Sequence, residues 1–272
     1  MQKVILITGA SSGIGKETAK TLIAEGHIVY GAARRVEKMQ DLVDAGGHAI
    51  GMDITHEPQI QSAVDRILSE QTRIDVLINN AGYAVYGAVE QVSLDDARRQ
   101  FEVNLFGLAA LTQKILPHMR QQKSGLIINV SSIGGKVYTP LGAWYHATKH
   151  ALEGWSDSLR VETASFGIKV SIIEPGAIQS EFSDVMETPM LARSKDGPYE
   201  SIADGVAKGN KTYYNNARSN SPKVIADVIA KAIKSKDPRT RYAAGKMAKL
   251  TLFMRHWLTD KAFDKAVLNM LK

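Results

Sequence analysis

Thr8-Gly9-Ala10-Ser11-Ser12-Gly13-Ile14-Gly15-Lys16 follows directly on the apolar run Val4-Ile5-Leu6-Ile7. A strand-like run, a turn with three glycines and a helical pattern bring backbone N–H groups and the positive end of a helix to one point. Such a point is a ready anion site. The spacing is G-x-x-x-G-x-G, not the G-x-G-x-x-G of the common dinucleotide fingerprint. Alone, the stretch reads either as a phosphate cradle or as a tight strand-to-helix turn, and the rest of the chain has to decide.

Outward from it, short apolar runs recur at 3–8, 27–33, 47–52, 74–79, 125–131, 168–174 and, more weakly, 240–244. Amphipathic patterns separate them near 14–25, 36–44, 57–70, 94–119 and 145–165. Apolar strands without alternation are expected when helices cover both faces of a sheet. The fold class that follows is α/β: a Rossmann-type, doubly wound parallel sheet of about seven strands in a three-layer α/β/α sandwich. No repeat or low-complexity linker interrupts the 272 residues, so a single domain is expected. Residues 177–222 are rich in Ser, Asn, Gly and Met with proline breakers, and a segment of that length in a compact domain is usually functional. A helix is predicted at 223–235 and one or two more within 246–270.

Composition removes several chemistries. With no cysteine there is no disulfide, thiolate metal site or cysteine nucleophile. No run approaches the length of a membrane span, and the run after Met1-Gln2-Lys3 is too short for a signal-peptide core, so a cytoplasmic location is expected. The net charge of +6 is spread along the chain, which suits an ordinary basic enzyme surface better than a nucleic-acid partner. Membrane contact is not expected, although Lys246, Lys249 and Arg255 flank the apolar Leu250-Thr251-Leu252-Phe253.

Two further positions bear on the glycine turn. In dinucleotide folds an acid about 20 residues past the glycines takes the ribose 2′-hydroxyl, whereas arginine suits a 2′-phosphate. Here that count reaches Ala33, Arg34 and Arg35, with no acid. The pair reads either as solvated residues at a helix start or as forked phosphate donors. Cations are unfavourable at a helix start, so a bound anion explains them better and NADP(H) is preferred over NAD(H).

The chemistry-bearing pattern is Tyr145-His146-Ala147-Thr148-Lys149, which puts Tyr145 and Lys149 one turn apart on a helix. A neighbouring cation favours the phenolate, bringing a phenol of ordinary pKa about 10 towards general acid–base use at neutral pH. Ser132, thirteen residues upstream, closes the strand near 125–131 and reads either as a substrate-oxygen partner or as a turn serine. His146 and His150 form an i, i+4 pair, but no third ligand is near, so no metal is expected. Trp144 either walls a substrate pocket or packs. Met186, Met190 and Leu191 suit either a lipophilic ligand or a packed lid helix.

Thr8–Gly15, Asn79-Asn80-Ala81-Gly82, Asn104, Ser132, Tyr145-x-x-x-Lys149 and Pro175-Gly176 stand in this order over roughly residues 3 to 182. Together they resemble the short-chain dehydrogenases/reductases, and residues 131–162 are similar to the 17β-hydroxysteroid and retinol dehydrogenase-like branch. The resemblance implies an oxidoreductase moving hydride between NADP(H) and a carbonyl or secondary alcohol. It implies a pyrophosphate turn of Gly9, Ser11, Ser12, Gly13, Ile14 and Gly15, with Arg34 on the 2′-phosphate. Asp53 and Ile54 would meet the adenine, and Asn80, Ala81 and Gly82 the adenosine ribose side. Pro175, Gly176, Ile178 and Ser180 would border the nicotinamide. Tyr145 would be the acid–base, Ser132 the substrate positioner and Lys149 the cation that also holds the nicotinamide ribose. Asn104 would hold a relay water. A substrate lid over about 180–222, a C-terminal helical extension over about 246–272, and a dimer or tetramer built on the long helices are also implied. A dinucleotide-sensing regulator would lack the Tyr145/Lys149 pair. An epimerase or dehydratase generally carries a G-x-x-G-x-x-G turn and a longer C-terminal domain.

Overall fold

The computed structural model of the chain describes residues 1–179, 181–214 and 221–269. Among these, strands β1 (Val4–Thr8), β2 (Ile28–Ala33), β3 (His48–Gly51), β4 (Val76–Asn79), β5 (Gly125–Val130), β6 (Ile168–Pro175) and β7 (Arg241–Ala244) form one sheet. Its order is β3-β2-β1-β4-β5-β6-β7, and every pairing is parallel. Ile5 of β1 lies between Val29 of β2 and Val76 of β4, so the glycine turn springs from the middle of the sheet.

Alternate residues of a strand face opposite sides, and both sides are buried. Ile5, Ile7, Val29, Val76 and Ile128 pack in one layer with α1 (Gly13–Ala24) and α9 (Pro222–Lys234), through Ala19, Leu22, Ile225 and Ile229. Val4, Leu6, Tyr30, Leu77 and Ile127 pack in the other with α3 (Glu57–Gln71), α5 (Leu108–Gln122) and α6 (Ala143–Thr163). Each fully buried Ile or Leu stabilises the fold by roughly 1.5–3 kcal/mol. The short α2 (Gln40–Asp44) adds Leu42 to the first layer, and α4 (Leu94–Phe101) precedes α5.

Beyond β6, α7 (Glu181–Ser194) and α8 (Glu200–Tyr214) fall within the stretch expected to form a lid, and α10 (Ala248–Trp257) and α11 (Asp260–Asn269) form the C-terminal part. The amphipathic pattern at 94–119 is not one regular helix. A π-helical turn, Glu102–Gly107, separates α4 from α5 and carries Asn104. Such turns sit often at functional sites. The chain passes to opposite halves of the sheet from β1 and β4, leaving a crevice at their carboxyl ends where ligands of such sheets bind.

Candidate active site

Backbone shape builds the turn. Gly9 (φ +68°) and Gly13 (φ +55°) take left-handed conformations that side chains resist. Asn80 and Ala81, just past β4, donate their N–H groups to Thr8 Oγ1 at 3.0 Å each, and Asn80 Nδ2 donates to the Thr8 carbonyl at 2.9 Å. These bonds weld the turn to β4, and a Cβ at Gly15 would collide with the Asn80 amide and the Gly9 carbonyl. Gly15 is therefore tightly packed and does not itself line the cleft. Gly9, Ser11, Ser12, Gly13 and Ile14 do line it, as do Asn80, Ala81 and Gly82. The cleft they open encloses about 890 Å³.

Arg34 and Arg35 reach the same cleft from the end of β2. Arg35 Nη2 donates to Ser12 Oγ at 3.3 Å and to Glu181 Oε2 at 3.0 Å, while Lys38 Nζ donates to Glu181 Oε1 at 3.2 Å. These two cations hold the Glu181 carboxyl below its ordinary range. The carboxylate of Glu181, from α7, thus rests against Arg35, one of the two arginines expected to meet an anion. Lys38 and Glu181 were not picked out by sequence, because an ion pair across 143 residues leaves no local pattern. Asp53 and Ile54 also line the cleft. Burial pushes the Asp53 carboxyl up, but bonds from Thr55 N–H (3.0 Å) and hydroxyl (2.8 Å), with the charges of Arg34 and Arg99, leave it lowered.

At the other end, Ser132 follows β5 in extended conformation, and its Oγ accepts the Gly134 N–H at 3.0 Å. Tyr145, in the first turn of α6, is buried with its ring between Tyr86 (6.0 Å between centroids) and Phe182 (5.6 Å). Lys149 lies one turn on, its Nζ donating to the Val130 carbonyl at 2.9 Å. Burial lowers the Lys149 ammonium to about 8, against an opposing pull from Glu153. Ser132, Tyr145, Lys149, Pro175, Gly176 and Ile178 all line the same cleft, whereas Ser180 lies outside the described residues.

Asn104 stands behind this wall and does not line it. Its Oδ1 accepts the Tyr83 N–H at 3.0 Å, and its Nδ2 donates to the Tyr83 carbonyl (2.9 Å) and Thr148 Oγ1 (3.2 Å). Here it fixes the chain past Gly82 to the helix of Tyr145 and Lys149.

His146 has a defined place that sequence reasoning left open. Thr139 donates its N–H to Nε2 at 3.0 Å, so Nε2 accepts and Nδ1 carries the proton towards the Gly134 carbonyl, also at 3.0 Å. Burial lowers its pKa and keeps the ring neutral. Its neighbour in the metal reading, His150, sets Nδ1 2.9 Å from the His146 carbonyl. Trp144 is half-buried and stands apart from the cleft lining, so the pocket-wall reading does not hold.

The far end of the cleft is apolar. Tyr86 borders it from the chain after β4, Phe182, Met186 and Val206 from α7 and α8, and Met247, Thr251, Phe263 and Val267 from the C-terminal part. Met190 is buried beneath, with Leu191 half-buried in the same cluster.

Comparison with known proteins agrees with this geometry. The family model described as short chain dehydrogenase matches residues 3–190. A 3-ketodihydrosphingosine reductase of Bacteroides thetaiotaomicron is 36% identical over 97% of this chain and 96% of its own. Solved structures of similar fold include a serine dehydrogenase complexed with NADP+ (TM-score 0.76, 26% identity, 88% of this chain and 92% of that one). Another is a short-chain dehydrogenase/reductase of Burkholderia phymatum in complex with NAD (TM-score 0.78, 25% identity, 94% and 93%). With that match over more than half its length and the likeness to the Bacteroides reductase along nearly all of it, the chain belongs to the short-chain dehydrogenase family.

Proposed function

We infer that the protein is an NADP(H)-dependent carbonyl reductase or alcohol dehydrogenase for a lipophilic substrate, with Tyr145 as its acid–base. The observation that carries this reading is one cleft lined by the glycine turn at one end and by Ser132, Tyr145 and Lys149 at the other. The residues fit a dinucleotide: left-handed Gly9 and Gly13 bend the turn into the N-terminus of α1, and a carboxylate already rests against Arg35 and Lys38. Gly9 to Ile14 would hold the pyrophosphate, Arg34 and Arg35 the 2′-phosphate, and Lys149 the nicotinamide ribose. When bound, the cofactor supplies or accepts the hydride.

The chain's own groups handle the oxygen. Ser132 Oγ orients the substrate oxygen, and Tyr145 Oη gives it a proton in reduction and takes one back in oxidation. With its pKa near 8, Lys149 keeps its charge at neutral pH and favours the phenolate. Asn104 keeps that helix in register with the chain beyond β4. Preference for NADP(H) rests on the arginines, since similar structures hold either dinucleotide. A lipophilic substrate is supported by the apolar far end of the cleft and by the name of the Bacteroides relative.

The test is a screen of NADPH oxidation over ketones, aldehydes and steroids, followed by Tyr145→Phe on the best substrate. Turnover should fall by about 10²- to 10⁴-fold, as for loss of a general acid, with NADPH still bound in a fluorescence titration. Retained turnover would sink the mechanism. NADH binding as tightly as NADPH would remove the cofactor preference.

A further inference from the structure

Helix α10 has apolar residues on two sides. Thr251 and, just before the helix, Met247 border the cleft, while Met254 and Leu258 pack against the buried Val137, Phe263 and Val267. Leu250, Phe253 and Trp257, at i, i+3 and i+7, share an adjoining side turned to the outside and are 51%, 62% and 70% exposed. The Phe253 and Trp257 rings lie 6.3 Å apart, so these residues form a strip instead of scattered apolar points. Leu268 of α11 is exposed as well. Single exposed apolar residues are ordinary, but a contiguous strip marks an interaction surface.

Charge is the second observation. Residues 246–272 carry six basic and two acidic side chains, so a small part of the chain holds most of its net charge of +6. Exposed Lys249 flanks the strip on α10, and exposed Lys261 and Lys265 stand on α11. Arg255 is used internally, paired with Asp260 at 3.0 Å and set over the rings of Tyr138 and Phe263. The sequence shows basic residues around an apolar run, but not that the run's aromatic side faces outward.

We propose that this face of α10, with α11 beside it, docks on an anionic lipid bilayer. Leu250, Phe253 and Trp257 enter the boundary of head groups and acyl chains, and Lys249, Lys261 and Lys265 meet lipid phosphates. A bilayer fits better than a second copy of this chain, because a basic surface repels itself and matches an anionic one. The same helix borders the apolar end of the cleft, so docking brings that end to a store of apolar molecules. This goes beyond the reaction proposed above and does not depend on it.

The test is flotation of the full chain with vesicles of phosphatidylcholine alone and of phosphatidylcholine mixed with phosphatidylglycerol, beside sedimentation of the protein by itself. The expected result is binding to the mixed vesicles that weakens with salt and on phosphatidylcholine alone. The double variant Phe253→Ser/Trp257→Ser should lose binding, and Lys249→Ala should weaken it about fivefold. All three side chains are exposed, so melting temperatures should match the wild type. Should the double variant misfold, Lys249→Ala decides alone. Absence of wild-type flotation, or equal flotation by wild type and variants, overturns the proposal. Self-association that Phe253→Ser/Trp257→Ser abolishes, without vesicle binding, would assign the face to a second copy and overturn it too.

Discussion

The imidazole of His146 ties two pieces of the candidate site together, α6 and the loop that follows β5. Its neighbour Tyr145 rides on α6, while Ser132 begins the loop whose Gly134 carbonyl and Thr139 N–H the ring engages. In the proposed reductase both hydroxyls meet one substrate oxygen, so a loop free to drift by an ångström would lose alignment worth about a hundredfold in rate. Replacing His146 by Ala also strands the buried Gly134 carbonyl, at a cost of about 1–3 kcal/mol, and leaves the part-buried Thr139 N–H without its partner. In the proposed reductase, His146→Ala should lower kcat by about ten- to a hundredfold while the NADPH dissociation constant stays put. His146→Asn, which keeps a donor and an acceptor, should recover part of the loss. Steady-state kinetics with a cofactor titration check this, and an unchanged kcat in His146→Ala would remove the positioning role.

At the scale of elements, what could be read in advance depended on whether the signal was local. The glycine turn, the apolar strands and the Tyr145/Lys149 spacing are patterns within a few residues, and each lies where the pattern put it. The π turn at Glu102–Gly107 was illegible because its amphipathic pattern reads as helix throughout. Two pairings across elements were equally hidden, and each carries a consequence. Glu181 of α7 occupies Arg35 and Lys38, so on the cofactor reading it competes with the 2′-phosphate for them. Glu181→Gln should tighten NADPH up to about fivefold, the limit for an exposed pair, and leave NADH unchanged. Isothermal titration distinguishes the two, and no change in NADPH affinity would show that the pair does not compete. Glu174 of β6 is buried beside Glu153 of α6 and 3.6 Å from Arg241 of β7. Burial, then the Glu153 charge, push its carboxyl up to about 7 from an ordinary 4.5, against Arg241. A raised folded pKa means that the ionised form costs stability, a cost absent below the unfolded value and complete above the folded one. Glu174→Gln should therefore raise the melting temperature at about pH 8 and do little at about pH 4, while Arg241 keeps Glu153 and Asp157 as partners. An equal shift at both pH values would contradict the assignment.

For the whole molecule, the expected self-association has to bury something, and α6 offers a surface for it. Ala147, Ala151, Gly154, Ser158 and Val161 recur at spacings of four and three along one side of that helix, with Val161 72% exposed. Nearby in the same layer, Phe106 of the π turn is 54% exposed. A glycine inside a helix costs about 1 kcal/mol relative to alanine, and within the monomer Gly154 has no visible reason, since nothing lies within 4 Å of where its Cβ would be. Close approach of another copy's helix would supply one, because small side chains let two backbones come together. The opposite side of α6 carries Tyr145 and Lys149, so an interface here would stiffen the helix that holds the proposed chemistry. Gly154→Arg separates the possibilities. It fits the monomer without a clash and improves helix propensity, so the isolated chain should stay folded and gain up to about 1 kcal/mol. Across an interface the same side chain would meet its symmetry mate in a contact built for hydrogen atoms. Sedimentation should show the wild type as a dimer or tetramer and Gly154→Arg as a smaller species with lower turnover. A variant that keeps the wild-type oligomer would place the interface on another face.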